Sequence, residues 1–537
     1  MNRISIFHYH LHPGGVTNVI ELGALALIKY FPGLELLRLV CGSDDDTDRV
    51  RSRINSAITK EGADKTPNFR FEISIMPDIG YSDDNGLLQP EKIIELSQKI
   101  EKKFGDSIWW IHNYQIGKNP LFTAAVLHSA KVNPERKILF HIHDFPECAR
   151  FDNLNRLLSA GIKNPYPIAG NVLYSLINSR DLKLLMQAGI PRERLFLLNN
   201  PVEAPSSENI PKAGSAGRGE RPLRNFYRYF ADRFPSARPE GKTIFYPVRS
   251  IRRKNILEAG LICAASEEPV NLIVGLPGVS AQERAYSEAC SRCFEDGLIP
   301  GVWGSGLTDS PSVPAYEDML GLCDLIISSS VQEGFGYLFI NAVQLGTPLL
   351  AHYLNILDGI RAVFPEQSSF FYERIIVPSD ESWEEDVKQA YLNKIESLRG
   401  RISGEAVDEL TAVTESISEG GVIDFSYLPV EHQILVLRRV SESAEYKTSI
   451  RNLNKTIFEN FSKLLDNGRT GKNKSLEEFS LKSHADTVRR IFSAFPNKNR
   501  MPEQQKTDMA GRSVQQNLLD EFAKIEYMRL IYDYKKN

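Results

Sequence analysis

Ser328-Ser-Ser-Val-Gln-Glu333-Gly-Phe-Gly336-Tyr-Leu-Phe-Ile-Asn341-Ala-Val-Gln-Leu-Gly346-Thr-Pro348 is the stretch whose reading decides the fold. It reads as a strand end, a glycine loop and a helix start, with the carboxylate of Glu333 at the turn. Glycines let the backbone come close to a ligand, and a helix start directs N–H groups outward. N–H donors beside one acid suit a polyhydroxylated, phosphorylated ligand. A lone Glu-Gly would be only a capped strand–helix turn. The whole run, closed by Gly346-Thr-Pro348 at a helix end, carries more.

Working outward, short apolar runs rich in β-formers alternate with helical patterns. In the first part the runs are Ile4–Tyr9, Leu34–Cys41, Phe71–Met76, Ile108–His112, Ile138–His143, Val172–Ile177 and Leu195–Leu198. Between them, Pro90–Phe104 places Ile93, Ile94, Leu96 and Ile100 near helical spacing. The pattern restarts at Thr243–Val248 and recurs at Val270–Val274, Asp324–Ser328, Pro348–Ala351 and Arg374–Val377. Such alternation predicts an α/β fold of two units, each a parallel sheet wrapped by helices, with ligands beyond the carboxyl ends of the strands. The expected division is 1–205 for the first domain, 206–241 for a Pro-, Gly-, Ser- and Arg-rich linker with one short helix, and 242–400 for the second domain. Residues 401–514 are expected to extend the second domain as helices, with Ser403–Gly421 as a surface insertion. Residues 515–537 are expected to form an amphipathic helix that packs back on the first domain.

With 537 residues, two domains plus an extension are the natural expectation. Basic and acidic residues number 64 and 68, a net charge of −4, so no basic footprint argues for nucleic acid. The N-terminus runs directly into a strand-like segment, and no apolar stretch is long enough to span a membrane; a cytoplasmic protein is the expectation. Cys290 and Cys293 form a lone C-x-x-C with no second pair to complete a zinc site, so all six cysteines read as reduced thiols.

Two further loops carry charge or glycine after a strand. His12-Pro-Gly14-Gly15-Val-Thr17 opens a helix after the first strand and reads as an anion-binding turn or simply a tight one. Arg249-Ser-Ile-Arg-Arg-Lys254-Asn255 follows the first strand of the second unit; Arg and Lys there can clamp a diphosphate, the bland alternative being a solvated basic loop. His112-Asn113 and His143-Asp144 end neighbouring runs, where the resemblance described below implies an acceptor side. His8, His10 and His12 alternate, but a zinc site would need the strand to continue to Pro13, against the Pro-Gly-Gly turn. Hydrogen bonding to sugar hydroxyls or phosphate fits these histidines better than a metal.

Together these pieces resemble the retaining GT-B glycosyltransferases related to glycogen synthase and sucrose synthase. The resemblance runs from about Ile4 to Leu350 and includes Asn200-Pro201-Val202 closing the first domain. It implies two Rossmann-like domains facing a central cleft and a hydroxyl acceptor receiving a hexose from a UDP- or GDP-hexose. It implies neither a metal nor a cofactor. By resemblance, Gly14 and Gly15 would approach the donor phosphate, and Arg249 and Lys254 would stabilise the diphosphate leaving group. Glu333, with Gly334, Phe335, Gly336 and Tyr337, would hold the donor sugar, and His143 would stand by the reacting sugar. Asp144 is the one nearby carboxylate that a double displacement could use.

Asn341 departs from the pattern, which has a second Glu there to grip the nucleotide ribose. An amide still bonds a hydroxyl but without charge assistance, which about halves the strength. Val248 replaces a Gly. Two other readings keep the fold: a sugar-nucleotide-binding relative without transfer, and a phosphorylase or epimerase. Nothing in Asp44–Asp84 names an acceptor, and the lack of a basic amphipathic helix there leans toward a soluble one.

Overall fold

In the computed structural model, which describes residues 2–60, 69–203, 223–308, 310–470, 476–496 and 512–529, the seven apolar runs of the first part are seven strands. They are β1 (Arg3–Phe7), β2 (Leu36–Cys41), β3 (Arg70–Ile75), β4 (Ile108–His112), β5 (Ile138–Ile142), β6 (Val172–Leu176) and β7 (Leu195–Leu197). All pair in parallel, in the order β3-β2-β1-β4-β5-β6-β7. β4, β5 and β6 are buried at every residue, which is why they read as continuous apolar runs instead of alternating ones. The strand order reverses between β1 and β4. The loops leaving those two strands therefore diverge and leave room for a ligand at their carboxyl ends.

The second unit has six parallel strands in the order β10-β9-β8-β11-β12-β13. These are β8 (Lys242–Ser250), β9 (Val270–Pro277), β10 (Gly301–Trp303), β11 (Leu325–Ser328), β12 (Leu349–His352) and β13 (Ser369–Tyr372). Its reversal lies between β8 and β11. The run Arg374–Val377, the fifth expected strand, does not join this sheet. Its residues Ile376–Pro378 (β14) pair antiparallel with Val422–Asp424 (β15). The sixth place is taken by β13, whose Ser-Phe-Phe-Tyr is too short to stand out in sequence, and the sheet ends at the three-residue β10.

The two compact units are Met1–Glu203 with Leu476–Phe522, and Ala204–Ser475 with Ala523–Asn537. The described residues 476–496 and 512–514 thus group with the first unit and do not extend the second; 497–511 lie outside the described residues. Helix Leu481–Ser493 buries Ala485, Val488, Ile491 and Phe492, and the last three join the core that lines helix Gly15–Tyr30. Their spacing is the apolar stripe of a docked helix. The amphipathic helix expected over 515–537 is two short pieces, because Lys524 is extended (φ −121°, ψ 147°). Helix Val514–Glu521 lies in the first unit, with Asn517 donating to the Ala188 carbonyl at 3.1 Å. Helix Ile525–Met528 lies in the second, where Asn355 donates to the Tyr527 hydroxyl at 2.8 Å. Residues 530–537 lie outside the described residues.

The linker expected over 206–241, with one short helix, is described only in its second part. Its first part, to residue 222, lies outside the described residues. Helix Arg224–Phe230 buries Phe226, Tyr227 and Phe230, and the Tyr227 and Thr243 hydroxyls bond at 2.7 Å, so this part is a packed piece of the second unit. Helix Gly404–Glu415 buries Ala406, Val407, Leu410 and Thr414 and packs against helix Glu381–Leu398, so the acidic Ser403–Gly421 segment is not merely surface. All six cysteines are buried and unbridged. Among the described residues no helix is long and apolar enough to cross a membrane.

Candidate active site

In the second unit the site begins with a defect in β8. Register slips between Tyr246 and Arg249, where Pro247 and Val248 face the single Gly275 of β9. Pro247 has no N–H for the ladder, and a bulge absorbs it and re-aims the next side chain. Arg249 emerges exposed. The chain then turns through Arg252–Lys254 into Asn255, held left-handed at φ 48°. The loop after β11 is pinned to this turn. Ser329 Oγ donates to the Asn255 carbonyl (2.8 Å), Ser330 Oγ to the Arg253 carbonyl (3.2 Å), and the Val331 N–H to the same carbonyl (2.9 Å). Tyr246 Oη donates to the Lys254 carbonyl at 2.8 Å.

This stitching brings Lys254 and Glu333 into a direct ion pair, their side chains only 13% and 14% exposed. Arg253 joins them, its Nη1 3.3 Å from Glu333 Oε2 and 2.9 Å from the Gln332 carbonyl. Burial pushes the Lys254 ammonium down to about 8, although Glu333 opposes the shift. Burial acts to raise Glu333, yet Lys254 and Arg253 hold it below the ordinary carboxylate range. The result is a charged cluster at the reversal of the sheet. Arg253 is the member that sequence reasoning missed. Arg252, beside it, is structural: it is buried and donates to Asn255 Oδ1 (3.2 Å) and the Leu428 carbonyl (3.0 Å).

Beyond Glu333, helix Tyr337–Leu345 starts at Gly336, left-handed at φ 81° and without a side-chain cap. A Cβ on Gly336 would stand 2.3 Å from the Phe339 ring, so this glycine is required by the fold itself. Gly334 and Phe335 complete the turn, with Phe335 buried. Asn341 lies one turn into the helix, near Tyr316.

In the first unit the matching reversal holds the Gly14-Gly15 turn and the ends of β4 and β5. Gly15 opens helix Gly15–Tyr30. Its φ is not left-handed, and a Cβ there would meet nothing within 4 Å. The protein has no need of its own for glycine at this position; close approach of a ligand would supply one. Gly15→Val is expected to leave the thermal midpoint unchanged and to weaken nucleotide binding at least tenfold. Isothermal titration beside a melting curve checks both.

Asn113 is left-handed (φ 52°) at the end of β4. Its Oδ1 accepts the backbone N–H groups of His143 (2.8 Å) and Asp144 (3.3 Å), and Gln115 Nε2 donates to the Asp144 carbonyl at 2.7 Å. The His143-Asp144 corner is therefore built by the β4 loop, and His112, Asn113, His143 and Asp144 do come together. His112 Nδ1 and His143 Nε2 share a hydrogen bond of 2.9 Å. Gln115 had no signal in sequence.

Behind this corner lies a cluster of buried histidines. Nitrogens of His112, His141 and His143 lie within 4.8 Å of one another. Trp110 Nε1 donates to His141 Nδ1 at 3.2 Å, which leaves the His141 proton on Nε2. A metal-binding imidazole donates through its second nitrogen, whereas His141 accepts there. β1 ends at Phe7, which places His8, His10 and His12 beyond the strand. His484, from the helix Leu481–Ser493, stacks on Trp110 at 6.0 Å and bonds the Asn199 carbonyl at 2.9 Å.

Burial, reinforced by neighbouring histidines, drives His8 down to about 3, and burial drives His143 and His484 down to about 4. Their folded values lie below the ordinary 6.5, so as pH falls the unfolded chain takes protons first. The stability they carry is complete above about pH 6.5 and is lost as pH falls toward 4. Each tenfold difference in proton affinity between the folded and unfolded chain is worth about 1.4 kcal/mol. The thermal midpoint is expected to drop between pH 7.5 and pH 5, and to drop less in His484→Phe. Calorimetry at the two pH values measures this.

Two parallel sheets wrapped by helices, with the Glu333–Pro348 loop after β11, agree with the GT-B resemblance drawn from the sequence. The chain is 29% identical to the mannosylglucosyl-3-phosphoglycerate synthase of Petrotoga mobilis over 546 aligned residues, covering 99% of this chain and 100% of that protein. Among solved structures it is similar to Anabaena HepE in complex with UDP and glucose (TM-score 0.48, 11% identity, 92% of this chain and 100% of that one). It is also similar to sucrose-phosphate synthase of Thermosynechococcus elongatus (TM-score 0.46, 13% identity, 92% and 100%). No protein-family model matches the chain.

Proposed function

We propose that the chain moves a hexosyl group from a UDP- or GDP-linked sugar to an acceptor hydroxyl, with retention of configuration and without a metal. The observation that carries this reading is the Lys254–Arg253–Glu333 cluster at the β8–β11 reversal. Two cations there, with exposed Arg249 nearby, can neutralise a departing diphosphate, the work a metal does elsewhere. Glu333 has lone pairs left to accept from sugar hydroxyls.

The chemistry is substitution at the anomeric carbon. The bond from that carbon to the β-phosphate oxygen breaks, and the bond to the acceptor oxygen forms on the same face. The departing phosphate oxygen takes the acceptor proton. His143, neutral at pH 7, serves as a hydrogen-bond partner to the sugar and not as a cation. The Petrotoga relative is named for a mannosylglucosyl-3-phosphoglycerate product, which supports a glucosyl-3-phosphoglycerate type of acceptor here.

The second reading, nucleotide-sugar binding without transfer, draws on Asn341, an uncharged amide where the resembling family has a second Glu. Incubation with UDP- and GDP-hexoses and a panel including glucosyl-3-phosphoglycerate separates the two. Acceptor-dependent release of nucleotide diphosphate is the expected result. Binding without release across the panel would favour the second reading, and phosphate-dependent breakdown of a glycoside would point to phosphorolysis.

A further inference from the structure

The loops after β3, β4 and β5, with the helix that follows β5, place three cations around one tyrosine. Lys118, after β4, stands 5.4 Å above the Tyr81 ring and has no carboxylate partner among the described residues. Arg150, after β5, holds Asp144 at 2.8 Å. Arg156, in helix Phe151–Ser159, donates to Asn85 Oδ1 at 3.2 Å and to the Ser82 carbonyl, and likewise has no carboxylate partner among the described residues. Half-burial and the repulsion of Arg150 and Arg156 lower the Lys118 pKa, so the three charges act on one another. Asp144 balances one of them.

The framework is tied in place. Ser82 N–H donates to the Lys118 carbonyl (3.1 Å), and Asn119 Nδ2 donates to the carbonyls of Asp78 (2.9 Å) and Gly80 (2.7 Å). Tyr81 is oriented as well. The His12 backbone N–H donates to His10 Nδ1 at 3.2 Å, which places the His10 proton on Nε2, and Nε2 donates to Tyr81 Oη at 3.1 Å. The tyrosine's own proton is then directed elsewhere. A basic surface that only keeps a protein soluble spreads its charges in water. Here two half-buried cations, without carboxylate partners among the described residues, stand beside the oriented hydroxyl of the exposed Tyr81, next to His143-Asp144.

We propose that Lys118, Arg150, Arg156 and Tyr81 form the anion-binding part of the acceptor site and hold the phosphate group of the acceptor put forward above. A phosphate monoester brings close to two negative charges and three strong acceptor oxygens, which matches three cations and one O–H. This assignment rests on the proposed function for calling the site an acceptor site; the anion binding itself does not.

The test is isothermal titration of the full chain with glucosyl-3-phosphoglycerate, its dephosphorylated glucoside, 3-phosphoglycerate and inorganic phosphate. Lys118→Met and Arg156→Gln are each expected to raise the Kd for glucosyl-3-phosphoglycerate about ten- to a hundredfold. Lys118→Arg, which keeps the charge, is expected to restore most of the affinity, and the Kd for nucleotide should stay unchanged in all three. The dephosphorylated glucoside should bind the wild type as weakly as the phosphorylated one binds Lys118→Met. Equal binding of the two glucosides by the wild type overturns the assignment, as does wild-type affinity in the Lys118→Met, Arg156→Gln double variant with an unchanged thermal midpoint. Anion binding without transfer to any acceptor counts against the proposed function and leaves the pocket standing.

Discussion

Lys254→Ala is expected to lower kcat by about 10²–10³, the loss seen when one donor aimed at developing charge is removed. The fold should survive, because Arg253 still lies 3.3 Å from Glu333 and the loop is held by Ser329, Ser330 and Val331, not by the lysine. Binding of the nucleotide sugar should fall less than turnover, since charge on the leaving group grows as its bond breaks. The wild type adds a second signature. With Lys254 pushed down to about 8 by burial, kcat/KM for the donor should decline above pH 8, where the free enzyme loses that proton. The decline should vanish in Lys254→Ala. Unchanged turnover in the variant removes the diphosphate-clamp assignment.

Glu333→Gln is expected to do comparable damage by a different route. Glu333 is the counter-charge that opposes the burial of Lys254 and also pairs with Arg253. Removing it strands two partly buried cations, a loss of about 2–4 kcal/mol of stability. The Lys254 pKa then falls further, so the lysine is largely neutral at pH 7 and turnover drops with it. The distinguishing outcome is partial recovery of activity at lower pH, as Lys254 regains its proton. An activity profile with the wild-type shape, merely scaled down, would mean that Glu333 acts only on the sugar and not through Lys254.

Most of the architecture was legible because the strands are buried on both faces and appear as apolar runs. The places where reading failed have physical causes. β10 and β13 are too short to show, and β14 looks like its parallel neighbours until its partner Val422–Asp424 is known. Helix Leu481–Ser493 carries an apolar stripe, but a stripe does not say which sheet it covers; Val488, Ile491 and Phe492 cover the first. The aromatic patch at Phe226–Phe230 sits in a region of linker-like composition and still packs.

The candidate site divides in the same way. Glu333 and Lys254 lie on motifs with fixed spacing, so the sequence exposed them. Arg253 was hidden between Arg252 and Lys254, since three adjacent basic residues look alike until the turn into left-handed Asn255 sends each in its own direction. Tyr81, Lys118, Arg150 and Arg156 come from separate loops and helix starts, and no spacing links them. Asn341 was visible as a departure, but its neighbour Tyr316 could be seen only in the fold.

The most direct test of the central claim is a proton NMR time course of the full chain with UDP- or GDP-hexose and glucosyl-3-phosphoglycerate. Transfer with retention predicts that donor anomeric signal is lost as a new glycosidic signal of the same configuration appears, one nucleotide diphosphate being released per bond formed. A product of inverted configuration, or no nucleotide release while the donor stays bound, would contradict it.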